Sequence, residues 1–202
     1  MCWNVFLWQM SLDLSVSITD PRNTQEKKVM LLRPGIALSA LSIALLGACA
    51  TPMSGPSASA DLVARSGSAV SGTVAFSETK DGRLGIEAKV SGLTPGEHGF
   101  HIHEVGDCSA PDASSAKGHF NPTAKAHGHH AGDEHHGGDM PNLIADAQGE
   151  AIYKAELRGL SLSGATSVQG RSVVIHADAD DYKSQPAGNS GKRIACGVIV
   201  AR

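Results

Sequence analysis

The chain has 202 residues, ten of them histidine, with 4% aromatic residues and a formal net charge of −3. A charge this close to balance, without basic runs, excludes nucleic acid as a partner. Nine of the ten histidines fall between His98 and His136, so one stretch concentrates the side chains most capable of chemistry.

In chain order, residues 1–29 make little sense in front of a secretory signal and read as an over-extended start, with Met30 as the true one. Residues 30–49 have the layout of such a signal: Arg33, then an apolar run from Ile36 to Leu46 too short for a transmembrane helix. The run closes on Leu46-Gly47-Ala48-Cys49, which resembles a bacterial lipobox with Cys49 as the lipidated residue. The overlapping Ala48-Cys49-Ala50 also fits an ordinary cleavage site. Export implies the periplasm, and Ala50 after a lipidated Cys49 favours an anchor on the outer membrane. Residues 50–65, rich in Ser, Ala, Pro and Gly, read as a flexible tether. Residues 66–202 remain for one domain with a single core.

Within that domain the apolar period is two. Alternation runs through Val70–Phe76, Leu84–Val90, Phe100–His103, Ala151–Leu157, Val173–His176 and Ile194–Val200, with Gly- and Pro-bearing turns between. This pattern predicts an antiparallel sandwich or barrel and no amphipathic helix. Two connections are long, Glu104 to about Pro141 and Ala177 to about Arg193, and loops of that length are usually functional. With Cys49 given to the signal and Cys2 to the leader, Cys108 and Cys196 read as one disulfide of an exported protein.

His101 and His103 sit two apart on a strand, so both imidazoles leave the same face. With His176 they supply nitrogen ligands for one metal. His119, His127, His136 and Asp139 make a second set, three imidazoles and a carboxylate, suited to tetrahedral zinc. His119 lies between the two sets and can serve both, one ring nitrogen to each ion. An all-nitrogen site without thiolate points to Cu(II) for the first. His129, His130 and His135 read either as solvated loop residues or as an auxiliary metal-capture patch, and His98 as a structural hydrogen-bonding residue.

The strings GFHIHEVGDCS (99–109), GHFNP (118–122), HG…HHGGDMPNL (127–143), VVIHADADDY (173–182) and GNSGKRIACGVI (188–199) resemble the copper/zinc superoxide dismutases in their bacterial exported form. The resemblance spans nearly all of residues 68–202. It implies an all-β, Greek-key antiparallel β-sandwich or barrel of immunoglobulin-like architecture with about eight strands, an architecture to which this family is itself assigned. It implies one copper per subunit on His101, His103, His119 and His176, and one zinc on His119, His127, His136 and Asp139. His119 and Arg193 would be catalytic, Arg193 standing at the mouth of the copper site. Asp180 would link a copper histidine to a zinc histidine, and Cys108–Cys196 would be the family disulfide. It further implies superoxide as the substrate and a monomer or a homodimer as the assembly. Lys183, in the second long loop, reads as a candidate contributor to the field that would draw the anion in. A copper/zinc-binding or metal-carrier protein on the same fold is the second reading. Carriers of this kind tend to lose copper ligands or the channel arginine, and this chain keeps them.

Overall fold

A computed structural model describes residues 57–202; the expected over-extended start, the signal and Cys49 lie outside the described residues. The alternating segments form the strands expected of them. In chain order the strands are β1 (Ser57–Ala64), β2 (Ser71–Glu78), β3 (Leu84–Ser91), β4 (Gly96–His98), β5 (Phe100–His103), β6 (Leu143–Ala145), β7 (Ala151–Leu157), β8 (Ser172–His176), β9 (Arg193–Val198) and β10 (Val200–Ala201). One short 3-10 turn, Ser114–Ala116, is the sole helical element among the described residues.

Eight strands form one antiparallel sheet in the order β5-β8-β9-β1-β2-β3-β7, with β10 also on β1; β4 and β6 pair separately. The sheet curls on itself, because a single buried cluster draws residues from both ends of that order. Phe76 and Ile86 on β2 and β3 share it with Phe100 and Ile102 on β5 and Val173 and Ile175 on β8. Phe100 meets the ring of Tyr153 on β7 edge-on, with centroids 5.1 Å apart.

Strand β1 corrects the expected tether. Its first six residues pair with β2, and Val63 and Ala64 pair with β9, so it joins the two halves of the sheet. Ala58, Ala60 and Leu62 are buried at period two. Small residues are selected here because two backbones approach closely: a Cβ on Gly197 of β9 would lie 2.6 Å from the Asp61 carbonyl oxygen. The Ser/Ala composition that resembles a linker is thus the composition of a tightly packed strand. The domain includes residues 57–65 as well as 66–202.

Cys108 and Cys196 are bonded, 88 positions apart in sequence. The bond ties the long loop after β5 to β9, and Ala113, Ala116 and Val174 pack around it. Closing so long a loop removes freedom from the unfolded chain equivalent to about 4–5 kcal/mol in a chain-entropy account.

If β1 joins the sheet halves, a chain beginning at Ser66 will not give the cooperative thermal transition shown by a chain beginning at Thr51. Equal melting of the two by circular dichroism would sink that assignment.

Candidate metal centre

Strand β5 ends the sheet order, so one edge of it lacks a strand neighbour. Exposed edge groups need partners, and the long loop supplies them. The Ile102 N–H donates to the Gly138 carbonyl at 2.9 Å, and the Phe120 N–H donates to the Ile102 carbonyl at 2.8 Å. The loop thereby lays His119 opposite His103 and Asp139 opposite His101. Gly138 permits this approach, since a Cβ there would stand 2.1 Å from the Ile102 oxygen. On the other side, β8 pairs with β5, and an irregular register between Ile175 and His176 re-aims the His176 side chain.

The result is two buried groups whose ligand atoms all lie within 4.8 Å of one another: His101, His103, His119 and His176, and His119, His127, His136 and Asp139. The described part of the chain brings together every histidine expected in each set. In the first group each ring is oriented through a nitrogen directed away from the other three. His101 Nε2 lies 2.8 Å from Asp180 Oδ2, His103 Nδ1 donates to the Lys117 carbonyl at 2.9 Å, and His176 Nδ1 to the Gly191 carbonyl at 3.3 Å. His119 Nδ1 lies 2.7 Å from Asp139 Oδ1, inside the second group. The remaining nitrogens, His101 Nδ1, His103 Nε2, His119 Nε2 and His176 Nε2, are buried without a protein partner. A ring that donates through one nitrogen offers a lone pair at the other.

The second group is organised around Asp139. Its Oδ2 accepts the backbone N–H groups of Gly128 at 3.0 Å and His136 at 2.8 Å. Its Oδ1 faces His119 Nδ1 and, at 3.3 Å, His136 Nδ1. His127 Nδ1 is 3.1 Å from Asp139 Oδ2 but lacks hydrogen-bond geometry and is a fifth unpartnered nitrogen. His127 Nε2 lies 3.0 Å from Asp180 Oδ1, so Asp180 spans from one group to the other.

Protonation is set by burial and charge. Burial, with neighbouring imidazoles, holds His103 and His176 well below the usual histidine range. It takes His119 down to about 4 despite its bond to Asp139. These rings are neutral near pH 7, which leaves their lone pairs free. At His127 burial is outweighed by Asp139 and Asp180, which push it up to about 9. Burial likewise opposes ionisation of Asp139 and Asp180, but their histidine hydrogen bonds hold both well below the usual carboxylate range.

The residues fit metal ions. A buried polar group without a partner costs about 1–3 kcal/mol, and five such nitrogens rival the roughly 5–15 kcal/mol that holds a whole domain together. Two cations would satisfy all five, the second displacing the extra proton of His127. The four-imidazole group has the donor set of copper, and the group with Asp139 that of zinc.

Arg193, on β9, pairs in the sheet with His176, and its guanidinium donates to the Ala113 carbonyl at 2.8 Å. The disulfide-linked loop therefore steers the arginine. Its charge is close enough to depress protonation of His103 and His176, after burial and the neighbouring histidines. Lys183 is exposed on the second loop. His98 is buried with Nδ1 2.8 Å from the His176 carbonyl and Nε2 2.8 Å from that of Thr94, the hydrogen-bonding role expected of it.

Several positioning groups had no legible signal. Lys117, Gly191 and Ala113 act through carbonyl oxygens, which every residue carries. Asn142 joins the loops: its Nδ2 donates to the Asp180 carbonyl at 3.1 Å, and its Oδ1 accepts the Asp180 N–H at 2.9 Å. Gly188, at φ +64, leaves room for Asp180, whose Oδ1 a Cβ would meet at 1.8 Å.

A family model described as copper/zinc superoxide dismutase (SODC) matches residues 70–199. Superoxide dismutase [Cu-Zn] of Deinococcus radiodurans is 45% identical over 179 residues, covering 82% of this chain and 95% of that protein. Superoxide dismutase [Cu-Zn] 2 of Aquifex aeolicus is 44% identical, covering 70% and 85%. A crystal structure of the clock protein EA4 superposes with a TM-score of 0.66 at 38% identity, covering 71% of this chain and 93% of that one. With the fold, the paired histidine groups and these likenesses in agreement, the chain belongs to the copper/zinc superoxide dismutase family.

Proposed function

We propose that this chain dismutates superoxide in the cell envelope, with copper on His101, His103, His119 and His176 and zinc on His119, His127, His136 and Asp139. The observation that carries the reading is the set of five unpartnered buried imidazole nitrogens, four in the first group and one in the second. Copper supplies the one-electron chemistry when bound: one superoxide gives up an electron, a second accepts it, and with two protons the products are one dioxygen and one hydrogen peroxide.

The chain's own residues do the rest. Arg193 keeps its charge at any physiological pH and receives the anion beside His103 and His176. His119 is directed through Nδ1 at Asp139, so its Nε2 stands ready to hold a proton and give it to the peroxide product. Asp180 fixes the orientation of His101 and His127 together, coupling the geometry of the two sets. Burial of the imidazoles keeps water from competing for the lone pairs. The envelope is supported by the signal-like run ending at Cys49 and by the Cys108–Cys196 bond, which persists in oxidising compartments. Lipidation of Cys49 would hold the enzyme at the outer membrane.

The direct test is superoxide decay by protein carrying one copper and one zinc per chain. Fast decay, reduced by His119→Ala to near the uncatalysed rate, is the expected result. Full occupancy of both metals without decay would transfer the chain to metal carriage. Asp180→Ala should weaken zinc binding by about 10–100-fold, measured by competition with a chelator; unchanged affinity would remove Asp180 from its linking role. Arg193→Ala should lower kcat/KM and flatten its dependence on ionic strength, with metal content unaltered; superoxide dismutase is itself a standard example of such steering. A variant with the wild-type salt slope would contradict the docking role.

A further inference from the structure

His129, His130 and His135 belong to neither ligand group, yet the loop holds them in defined positions. The His129 ring packs on His130 with centroids 4.4 Å apart and meets Tyr182 edge-on at 4.7 Å. His129 Nδ1 accepts the Ala131 N–H at 3.2 Å, so this ring is tied into the loop and buttresses its neighbour. His130 differs. Its Nδ1 is buried and has no protein partner, the same condition as the five nitrogens of the two ligand groups. His135 donates through Nδ1 to the His136 carbonyl at 2.6 Å, which leaves its Nε2 lone pair free. Burial, then the adjacent His129 and His135, depresses protonation of His130, so it too is a neutral donor.

His130 and His135 line one cavity of about 460 Å³ together with Asp133, Glu156 and Arg158, and Asp139 lines it as well. The same cavity thus borders both half-buried imidazoles and Asp139, the residue around which the second group is built. Ala131, Gly132 and Gly137 keep the wall small between them. Its acidic residues are Asp133, whose backbone carbonyl accepts a hydrogen bond from the Lys125 ammonium, and Glu156, which Arg83 engages at 3.1 Å.

We propose that His130 and His135 form a zinc-loading port, a low-affinity open site that captures the aqueous divalent cation and passes it along this cavity to Asp139. The proposal rests on the assignment of zinc to His119, His127, His136 and Asp139. Its chemistry is a matter of ligand number. Two imidazoles leave most of the coordination sphere to water, so the ion is held weakly and exchanges readily, whereas the closed set of four retains it. Among the described residues neither imidazole belongs to a group of three or more converging donors, as a storage site would require. A local concentration of cations at the mouth raises the rate of arrival without altering the final affinity.

The test uses cobalt(II) in place of zinc, because its visible absorption reports arrival in a tetrahedral site. Metal-free wild type and the double variant His130→Gln, His135→Gln are mixed with cobalt(II) under stopped flow. The variant should load about tenfold more slowly, the lower end of the on-rate gain a focusing site gives. Its final absorption, its equilibrium zinc affinity and the superoxide decay of the fully loaded enzyme should match wild type. In fully loaded wild type, added zinc should shift the ring nitrogen resonances of His130 and His135 first. Equal loading rates would overturn the port. So would a fall in final affinity matching the fall in rate, which marks the two histidines as structural. Absence of the tetrahedral absorption from wild type itself would overturn the underlying zinc assignment, an outcome separate from equal rates.

Discussion

The His119 ring is the constraint on which the rest of the site depends. It is the one side chain common to both ligand groups, with its centroid 4.0 Å from that of His101 and 5.3 Å from those of His127 and His136. One ring can serve two ions only if each nitrogen faces one ligand group and the neutral ring gives up its remaining N–H proton. Burial favours the neutral ring over the imidazolium, so a single proton remains to be displaced. The loop that pairs with the edge of β5 meets the first condition, placing Nε2 among three imidazoles and Nδ1 against Asp139, itself a member of the second group.

The scaffold explains why so polar a cluster is tolerated. The hydrophobic core lies between the halves of the curled sheet, where Phe100 and Ile102 point, while His101 and His103 leave the opposite face of the same strand. In the first group every ring nitrogen turned away from the shared centre has its own acceptor, so the cluster is rigid before it is loaded. Breaking one of these outer contacts rotates a lone pair away from its centre, which is why Asp180, Asn142 and Gly188 matter although none is a ligand. The disulfide extends the same logic to the substrate: it anchors the loop whose Ala113 carbonyl holds Arg193.

Much of this was legible because the informative residues are either rare or periodic. Histidine two apart on an apolar-alternating strand has few meanings, and the alternating segments became β2, β3, β5, β7, β8 and β9. Strand β1 was missed for a physical reason: a strand packed closely between two others selects Ser and Ala, and that composition is also a linker's. Strands β4 and β6 have three residues each, too few to show a period. The ligand sets were readable from side-chain chemistry, but their orientation was not. It depends on the carbonyls of Lys117 and Gly191 and on loop–loop bonds through Asn142, and backbone acceptors leave no mark in the residue sequence. The His130–His135 cavity was likewise invisible, because its wall is completed by Glu156 and Arg158 from a distant part of the chain.

The most direct measurement of the shared ring is the electron paramagnetic resonance spectrum of protein with Cu(II) in both groups. Two copper ions joined through one deprotonated imidazole couple antiferromagnetically. If His119 joins the two centres, the signal collapses on cooling. Two independent Cu(II) signals of full intensity at all temperatures would contradict the shared ring and, with it, the arrangement on which the proposed activity rests.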